Sequence, residues 1–496
     1  MYTPTEGSNR NCKETVTLKR VEDERSRLIP KNRSLGEPGE ATSVSGQQEM
    51  TTSQQGVEEE RALAETLNTM ERICNPSNLR EALEQVVANA GAGGVDRMST
   101  LDLSRWYETN EDKLIQTLLA GKYQPQPVRS VEIPKATGGT RELGIPTVVD
   151  RLVQQAMHQI LQTIFEPTFS EHSYGFRPGR SAHDAISQAS QYVKEGKEFV
   201  VDMDLEKFFD RVNHDILMSL VYKRVRDVRV LKLIGRFLRA GIMRDGMVSA
   251  RTEGTPQGGP LSPLLSNIML TELDRELEKR GHCFCRYADD CNVYVESQKA
   301  AERVLESLTN WLAKRLRLKV NGSKSAAAPV QERKFLGFRI RGQGDVIIAP
   351  ESLRRFRGKI ISLTKRRTPM SLEVMIGRVN SYTTGWLGYF RIAQCQSLVK
   401  ELDGWIRRRL RVVRLKQCKR TYTRYKFLHS RGVSVKNAWL LALSGKGMWR
   451  LALSQAAHQA MNNEWFKEQG YHDMVSRLEK LKQKRNRRVR VVRSVV

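Results

Sequence analysis

The feature that most constrains this chain is a pair of adjacent aspartates, Asp289 and Asp290, set between two short apolar segments. Residues 283–286 precede the pair and residues 291–295 follow it, a pattern that predicts two strands joined by a tight turn at the aspartates. Two neighbouring carboxylates repel, and each raises the pKa of the other. A divalent cation removes that cost, and hard oxygen ligands suit Mg²⁺. A lone Asp-Asp pair is more often an ordinary surface turn. Its assignment to a metal site therefore depends on the other motifs of the sequence.

A further carboxylate lies upstream, at the end of another predicted strand. Residues 199–205 alternate in the manner of a strand that ends at Asp204, and a turn toward a helix follows. If this strand neighbours the hairpin, three carboxylates meet and hold two metal ions ~3.5–4 Å apart, the arrangement used for in-line displacement at phosphorus. Asp202 and Asp210 are alternatives to Asp204. We prefer Asp204 because its spacing to Phe209 places an aromatic wall beside the metal site.

A glycine- and proline-rich loop occupies residues 254–263 and contains Gln257, Gly258 and Gly259. Paired glycines let a backbone approach a ligand closely, and prolines stiffen the loop around them. The Gln257 amide suits contact with a nucleotide, while the glycines leave room for sugar and base. The apolar run at residues 264–270 predicts a buried helix. Alone, this segment would be only a turn that leads into a helix.

Together these motifs resemble those of the reverse transcriptases, and the flanking sequence narrows the resemblance to the group II intron-encoded reverse transcriptase/maturase family. The resemblance extends from about Gly94 to near Gly470. The further matching segments are, in order, Gly94-Val95-Asp96, Ile133-Pro134-Lys135, residues 138–147, Asp150-Arg151, residues 173–181 and Phe335-Leu336-Gly337-Phe338. Each segment is a weak signal alone, whereas their shared order is a strong one.

The resemblance implies a set of catalytic and metal-binding residues. It assigns Asp204, Asp289 and Asp290 to two Mg²⁺ ions, for which Mn²⁺ is a substitute, and the Leu205 carbonyl to the same metals. It also matches Lys324 to a lysine that protonates the departing pyrophosphate. A lysine near the end of a helix–strand connection is more often simply solvated.

The resemblance also implies residues that bind the incoming nucleotide. Lys135 and Arg141 match residues that grip the triphosphate, and Phe209 matches a steric gate against the ribose 2′-hydroxyl. Gln257 and Gly258 match residues that contact the nucleotide or its primer. The residues themselves agree for Lys135 and Arg141, since a β-hairpin with a Gly-Gly turn between them would aim both cations at one anion.

The charge distribution predicts a second nucleic-acid contact. The chain carries a net charge of +28. Residues 351–496 hold 34 Lys and Arg against 8 Asp and Glu, whereas residues 1–60 hold 8 against 11. Such an excess behind the catalytic motifs predicts contact with a large polyanion. Neutralising ~6–10 phosphates would make that binding steeply dependent on salt.

One arginine-rich helix is the predicted contact. Ile406, Leu410 and Val413 fall on one helical face, and we expect Arg407, Arg411 and Arg414 to present a second face to RNA phosphates. This helix and the segment at residues 385–390 resemble the maturase X domain, which serves as the polymerase thumb and binds intron RNA. The basic run at residues 482–493 predicts a DNA- or RNA-binding tail.

The cysteines exclude some site types. The seven cysteines include no C-x-x-C pair, so the zinc-dependent endonuclease domain of some family members is not expected. Their odd number and scattered spacing indicate a reducing compartment. No apolar run predicts a membrane span or a signal peptide, and a bacterial cytoplasmic location is expected.

The predicted fold class is α+β, a right-hand polymerase whose fingers and palm contain antiparallel sheet, followed by a mostly helical thumb/X domain. Residues 1–60 are predicted to be disordered. The fingers with an N-terminal extension are assigned to 61–195, the palm to 196–345, the thumb/X domain to 350–460 and a basic segment to 461–496.

The predicted function is RNA-directed DNA synthesis on intron RNA, combined with help to that intron in splicing and mobility. The expected partners are group II intron RNA, target DNA with a primer, and deoxynucleoside triphosphates, and a homodimer stays an option. The alternatives are a splicing-only RNA-binding cofactor and a free-standing host or defence reverse transcriptase. The complete set of three aspartates favours an active polymerase, because loss of one carboxylate would leave metal charge uncompensated.

Overall fold

The protein is described by a computed structural model that covers residues 66–134, 140–244, 247–249, 251–365 and 370–493. The segment predicted to be disordered, residues 1–60, lies outside the described residues. The α-helices are α1 Thr69–Ile73, α2 Pro76–Ala88, α3 Thr100–Leu119, α4 Val148–Phe165, α5 Ala182–Lys194, α6 His214–Tyr222, α7 Val228–Arg239, α8 Ser262–Lys279, α9 Gln298–Arg315, α10 Pro350–Leu363, α11 Leu372–Phe390, α12 Gln396–Gln417, α13 Thr421–Ser430, α14 Val435–Leu443, α15 Met448–Leu451, α16 Gln455–Ala460, α17 Asn463–Glu468 and α18 Met474–Arg493. The strands are β1 Val128–Pro134, β2 Thr140–Ile145, β3 Phe199–Met203, β4 Ile242–Arg244, β5 Met247–Ser249, β6 Cys283–Tyr287, β7 Asp290–Val295, β8 Ala326–Pro329, β9 Phe338–Arg341 and β10 Asp345–Ile348.

The N-terminal helices begin at side chains that cap them. Ser99 and Asp102 form a reciprocal capping box at α3, and the Thr147 hydroxyl accepts from the backbone N–H of Asp150 at the start of α4. Between α3 and α4, strands β1 and β2 form the antiparallel hairpin that the sequence predicts. Their sheet has the order β2-β1-β4-β5, in which β1 and β4 run parallel.

The central sheet has the order β6-β7-β3-β8, and its paired strands are all antiparallel. Alternate residues of β3 enter two different cores: Val201 and Met203 pack in one, and Val200 packs in the other. Both faces of this sheet are therefore covered. The predicted buried helix at 264–270 is confirmed as part of α8, whose apolar side chains belong to the first core.

The C-terminal part is helical apart from the β9–β10 hairpin. The predicted apolar stripe of α12 is confirmed, because Ile406, Leu410 and Val413 are buried in the second core. The α+β class with antiparallel sheet followed by a helical region is likewise confirmed. The domain limits stay predictions. Among the described residues, no helix combines the length and apolar character needed to cross a membrane.

Candidate active site

The aspartate pair lies at the tip of the β6–β7 hairpin. Tyr287 and Asp290 form the last strand pair, so the two linking residues are Ala288 and Asp289. The predicted turn is therefore displaced by one residue, and Asp290 already belongs to β7. Ala288 has a φ of 59°, a left-handed conformation that an alanine adopts only when its surroundings hold it there. The surroundings of this turn thus decide where both carboxylates point.

A buried ion pair holds the turn. Arg286 is fully buried, and its guanidinium donates to the two carboxylate oxygens of Asp274 at 2.7 and 2.6 Å. The Nη1 atom of the same guanidinium donates to the Ala288 carbonyl at 3.0 Å and to Asn267 Oδ1 at 2.9 Å. The Asn267 amide in turn donates to the Gly175 carbonyl. Helix α8, which carries Asp274 and Asn267, is thereby tied to the turn between β6 and β7.

The third aspartate follows β3 directly. Met203 pairs with Cys291, which places Asp204 beside the start of β7. The backbone N–H of Asp204 donates to Ser325 Oγ at 2.9 Å, and its carbonyl accepts from the N–H of Asn321 at 2.8 Å. The adjoining Leu205 forms a bridge with Val320. Asp204 is therefore fixed by the segment that follows α9, and its side chain is 37% exposed.

Like charges crowd this end of the sheet. Burial, followed by the charges of Asp202, Asp289 and Asp204, raises the pKa of Asp290 from 3.8 to about 7, and Lys334 offsets this only weakly. Burial also raises the pKa of Asp202 against the opposing effect of Arg333. The protein thus brings carboxylates close enough to Asp290 to disfavour its ionisation further.

Asp202, the alternative to Asp204, has a cation of its own. The Arg333 guanidinium donates to Asp202 Oδ2 through Nε at 2.9 Å and Nη2 at 2.6 Å. Asp204 instead meets Lys324, whose Nζ lies 3.0 Å from Asp204 Oδ2 and whose side chain is 65% exposed. A mobile ammonium is displaced more easily than a bidentate guanidinium. This difference favours Asp204 as the residue open to an external cation.

The carboxylate oxygens at this site suit a divalent cation, but their side chains do not surround a single metal position. Among the residues that the structure describes, no group of three or more His, Cys, Asp or Glu side chains is gathered tightly enough to hold a metal ion. The assignment of Asp204, Asp289 and Asp290 to metal ions therefore stays a prediction. What fits a cation is the burial of Asp290 beside like charges, which Lys334 offsets only weakly.

The glycine-rich loop lies against both the predicted gate and the hairpin β1–β2. The backbone N–H of Thr255 donates to the Phe209 carbonyl at 2.6 Å, and the N–H of Gly144 donates to the Gln257 carbonyl at 2.9 Å. Gly258 has a φ of 136°, and a Cβ there would lie 2.8 Å from the Gly144 carbonyl oxygen. Only glycine fits this approach. The structure thus brings Gln257 and Gly258 to strand β2.

The two predicted triphosphate contacts are described only in part. Arg141 lies in β2, opposite Ile133 of β1, and its side chain is outside the described residues. Lys135 lies outside them altogether. The half-buried Phe209 ring packs edge-on against Phe208, with ring centroids 5.2 Å apart. The roles of these three residues stay predictions.

The arginine helix α12 differs from its prediction. Arg411, expected to face phosphates, is buried, and its Nε donates to the Met461 carbonyl at 3.0 Å. Its guanidinium lies 5.3 Å from the centre of the Phe466 ring, and burial lowers its pKa to about 10. The prediction for Arg411 is wrong, because later helices fold over the side of α12 that the sequence pattern assigned to solvent.

The other two arginines of that face also have partners within the protein. Arg407 pairs with the buried Asp403 at 2.5 Å and donates to Asn463 Oδ1 at 2.8 Å. Arg414 lies over the Phe427 ring, 4.4 Å from its centre. Together with the ion pair between Arg407 and Asp473, these contacts join α12 to α13, α17 and the segment before α18. The described contacts therefore assign the arginine face mainly to packing inside the helical region.

The residues that sequence reasoning missed are the ones that position the aspartates. Arg286 and Asp274 are both fully buried, and Arg333 neutralises Asp202. One signal was present, since Arg286 is a charged residue inside an otherwise apolar strand next to the aspartates. A charged residue is buried only when it is paired. Its partner on α8 could not be read from the sequence.

Comparison with known proteins supports the same reading of the chain. A family model described as reverse transcriptase (RNA-dependent DNA polymerase) matches residues 133–340, and one described as group II intron, maturase-specific domain matches residues 353–432. The chain is 34% identical over 354 residues to protein YkfC of Escherichia coli K12. The aligned region covers 62% of this chain and 93% of YkfC.

A second relative has a name that states its genetic origin. The group II intron-encoded protein LtrA of Lactococcus lactis subsp. cremoris is 43% identical over 164 residues, which cover 33% of this chain and 27% of LtrA. A solved telomerase from Candida albicans is similar over 77% of this chain and 69% of that one, at 12% identity and a TM-score of 0.42. The chain belongs to the family of reverse transcriptases encoded by group II introns, with a reverse transcriptase domain followed by a maturase-specific domain.

Proposed function

We propose that this protein copies RNA into DNA at the end of the β6-β7-β3-β8 sheet. The observation that carries the proposal is the burial of Asp290 beside the carboxylates of Asp202, Asp289 and Asp204, which together raise its pKa to about 7. A protein that needed these acids only for folding would neutralise them, as Arg333 does for Asp202. Enzymes of this family use divalent metal ions, and we propose two Mg²⁺ ions, with Mn²⁺ as a substitute, held by Asp204, Asp289, Asp290 and the Leu205 carbonyl.

Bound cations at this position would lower the pKa of the attacking primer hydroxyl and neutralise the leaving pyrophosphate. The chain's own residues then have defined tasks. The buried Arg286 fixes the turn that carries Asp289, and Ser325 and Asn321 fix the backbone of Asp204. Lys324, which holds Asp204 in this structure, is free to turn toward pyrophosphate once a cation replaces it.

We propose that the glycine-rich loop and strand β2, which meet beside this site, select the incoming nucleotide. Arg141 of β2 and Lys135 would bind the triphosphate, where two cations match its charge. The Gly258 backbone lies against Gly144 of β2, which supports a shared role of the loop and Arg141 in binding the nucleotide. Phe209, whose carbonyl is bound by Thr255, would exclude a ribose 2′-hydroxyl.

We further propose that the helical region binds group II intron RNA and so assists splicing and mobility. The maturase-specific match at 353–432 and the excess of 34 basic over 8 acidic residues in 351–496 support this role. Target DNA with a primer would then enter the polymerase site. A bacterial cytoplasmic location and a homodimer stay predictions.

Primer extension on an RNA template tests the polymerase. With Mg²⁺ and deoxynucleoside triphosphates, wild type should extend an annealed primer, and Asp289→Asn should not. Asp215→Asn, a change in the first turn of α6 outside the proposed site, is the matched control and should extend like wild type. Failure of folded, RNA-binding wild type to extend would reject the polymerase and leave a splicing-only cofactor.

Phe209→Ala tests the gate in the same assay. Removing the ring should let ribonucleotides compete, so that discrimination against them falls at least about tenfold. Phe209→Tyr keeps the ring and should keep the discrimination. Unchanged discrimination in Phe209→Ala would reject the assignment of the gate.

A further inference from the structure

Helices α13 and α14 carry a set of stacked aromatic rings that the polymerase site does not use. The rings of Tyr425 and Trp439 lie 4.2 Å apart, with planes inclined by 15°. The His429 ring is nearly parallel to that of Tyr425, at 5.7 Å and 8°. Tyr422 lies 6.1 Å from Tyr425 and 6.5 Å from Trp439. Four rings from two helices therefore form one cluster, which we call the ring platform.

The ring platform lies at the surface, unlike the pair formed by Phe356 and Trp386 in the same region. Tyr422 is 63% exposed, His429 is exposed, and Tyr425 and Trp439 are half-buried. In contrast, Phe356 and Trp386, whose centroids are 4.4 Å apart, are almost completely buried. Burial in a core explains the second pair. It does not explain why an aromatic cluster remains open to solvent on α13 and α14.

The helices beneath the rings are firmly joined. Arg424 of α13 is buried, and its Nη1 donates to the Ala442 carbonyl of α14 at 3.1 Å. Leu428 and Ala438 are buried between the helices and the rest of the core. The rings are therefore pre-arranged, so a ligand that stacks on them does not have to order them first.

The charge around the ring platform has one sign. Residues 404–463 contain 14 Lys and Arg and no Asp or Glu. Several arginines of α12 are used inside the protein, whereas Lys419, Arg420, Lys426 and Lys436 are exposed on or next to α13 and α14. Lys436 precedes Trp439 by three residues and so lies on the same side of α14. Exposed rings with positive charge beside them match the two parts of a nucleotide, its base and its phosphate.

We propose that the ring platform binds an unpaired nucleotide of RNA, with the base stacked on Tyr422 and Trp439 and the phosphate near Lys436. RNA is the occupant because the maturase-specific match at 353–432 includes Tyr422, Tyr425 and His429. The inference rests on the proposed RNA-binding role of this domain. Duplex RNA is excluded as the occupant, since its bases are already stacked on one another.

Photocrosslinking of the full-length protein to a short oligouridylate containing 5-iodouridine gives a direct test. Crosslinks should map to Tyr422 or Trp439. Tyr422→Leu and Trp439→Leu should each weaken binding of the oligouridylate by roughly five- to a hundredfold, the range of ~1–3 kcal/mol per stacked base. Lys436→Gln should reduce the slope of log affinity against log salt by about 0.7.

Matched variants separate stacking from simple loss of a side chain. Tyr422→Phe and Trp439→Phe keep a ring and should bind nearly as wild type. Leu440→Ala removes an exposed side chain next to Trp439 and should have no effect. Melting temperatures of all variants should stay close to wild type, and Leu440→Ala should extend an annealed primer like wild type. Binding of the oligouridylate needs neither a primer nor deoxynucleoside triphosphates, so this test fails or succeeds separately from the polymerase.

Three outcomes would overturn the proposal. The first is wild-type affinity of both leucine variants together with crosslinks only outside α13 and α14. The second is equal competition by duplex RNA, which would remove the unpaired base as the ligand. The third is tighter binding of the matching single-stranded DNA through the same residues, which would make DNA the occupant of the ring platform.

Discussion

Asp290 and Arg411 are charged residues that the protein encloses in opposite ways. Asp290, in the central sheet, meets three further carboxylates, and its pKa is raised to about 7. Arg411, in the helical region, meets the Met461 carbonyl and the face of the Phe466 ring. The sequence pattern had placed both residues at binding surfaces. Arg411 has a carbonyl and a ring as partners within the protein, whereas the charged neighbours of Asp290 are mainly other carboxylates.

This difference distinguishes residues that bind a ligand from residues that hold the fold together. A charge that the protein satisfies with its own carbonyls and rings contributes to folding and has little left to offer a ligand. A carboxylate crowded by like charges is stabilised only by a proton or an external cation. Density of charged residues in the sequence is therefore a poor guide to function here. A better guide is whether each charge has a partner within the folded protein.

The largest expected effect comes from removing the uncompensated charge. Asp290→Asn should lower DNA synthesis by about 10²-fold or more, since a group that stabilises developing charge is lost. Because folding raises the pKa of Asp290 from 3.8 to about 7, the metal-free folded protein holds a proton that the unfolded chain releases. Stability of metal-free wild type should thus fall as the pH rises from about 4 to about 7 and then level off.

The same variant should therefore be more stable than wild type at pH 8 in the presence of a chelator. Urea unfolding across this pH range would measure the difference. If the unfolding free energy of wild type did not fall between about pH 4 and about pH 7, the account of crowded carboxylates would be contradicted. An equal fall in Asp290→Asn would contradict it as well.

The next effect concerns a compensated charge beside the site. Arg286→Met leaves the Asp274 carboxylate buried without its partner and should cost about 3–5 kcal/mol of unfolding free energy. Arg286→Met combined with Asp274→Leu should recover most of that stability. DNA synthesis should stay low in the double variant, because the Ala288 carbonyl still lacks its donor. Full recovery of synthesis would show that the ion pair does not position the turn.

A smaller effect is expected from the compensated charge of the helical region. Arg411→Met should cost about 1–3 kcal/mol, since it leaves the Met461 carbonyl without its donor. RNA binding measured over a range of salt concentrations should keep the wild-type slope. A slope reduced by about 0.7 would instead return Arg411 to the RNA interface and break the comparison.

The smallest effect on stability is expected at Lys324. Its ion pair with Asp204 joins two substantially exposed side chains, so Lys324→Gln should change the unfolding free energy by less than ~1 kcal/mol. A larger loss would mean that this pair belongs to the framework. Reduced DNA synthesis at unchanged stability would support the proposed role of Lys324 as proton donor to pyrophosphate.

Periodicity predicted the elements that hold the site, because it records which side of an element is buried. The hairpin around Asp289, the helix that contains residues 264–270 and the apolar stripe at Ile406, Leu410 and Val413 all follow from local pattern. The sequence also offered three aspartates for the strand position. The choice between Asp202 and Asp204 depends on Arg333, which lies 131 residues from Asp202.

Compensation of charge could not be predicted, because it depends on contacts between distant parts of the chain. Arg411 receives its acceptor from Met461, 50 residues away. Arg286 and Asp274 occupy a strand and a helix whose packing fixes the pair. The ring platform likewise combines residues of two helices that look unremarkable when each is read alone. Such pairings appear only once the fold is known.

Binding of Mn²⁺, followed by electron paramagnetic resonance at pH 8, tests the central claim most directly. Wild type and Arg411→Met should bind the ion equally, whereas Asp289→Asn and Asp290→Asn should each weaken binding by about tenfold or more, since each removes a proposed ligand charge. Equal binding by wild type and both aspartate variants would contradict the account, because the crowded carboxylates would then not be the cation site.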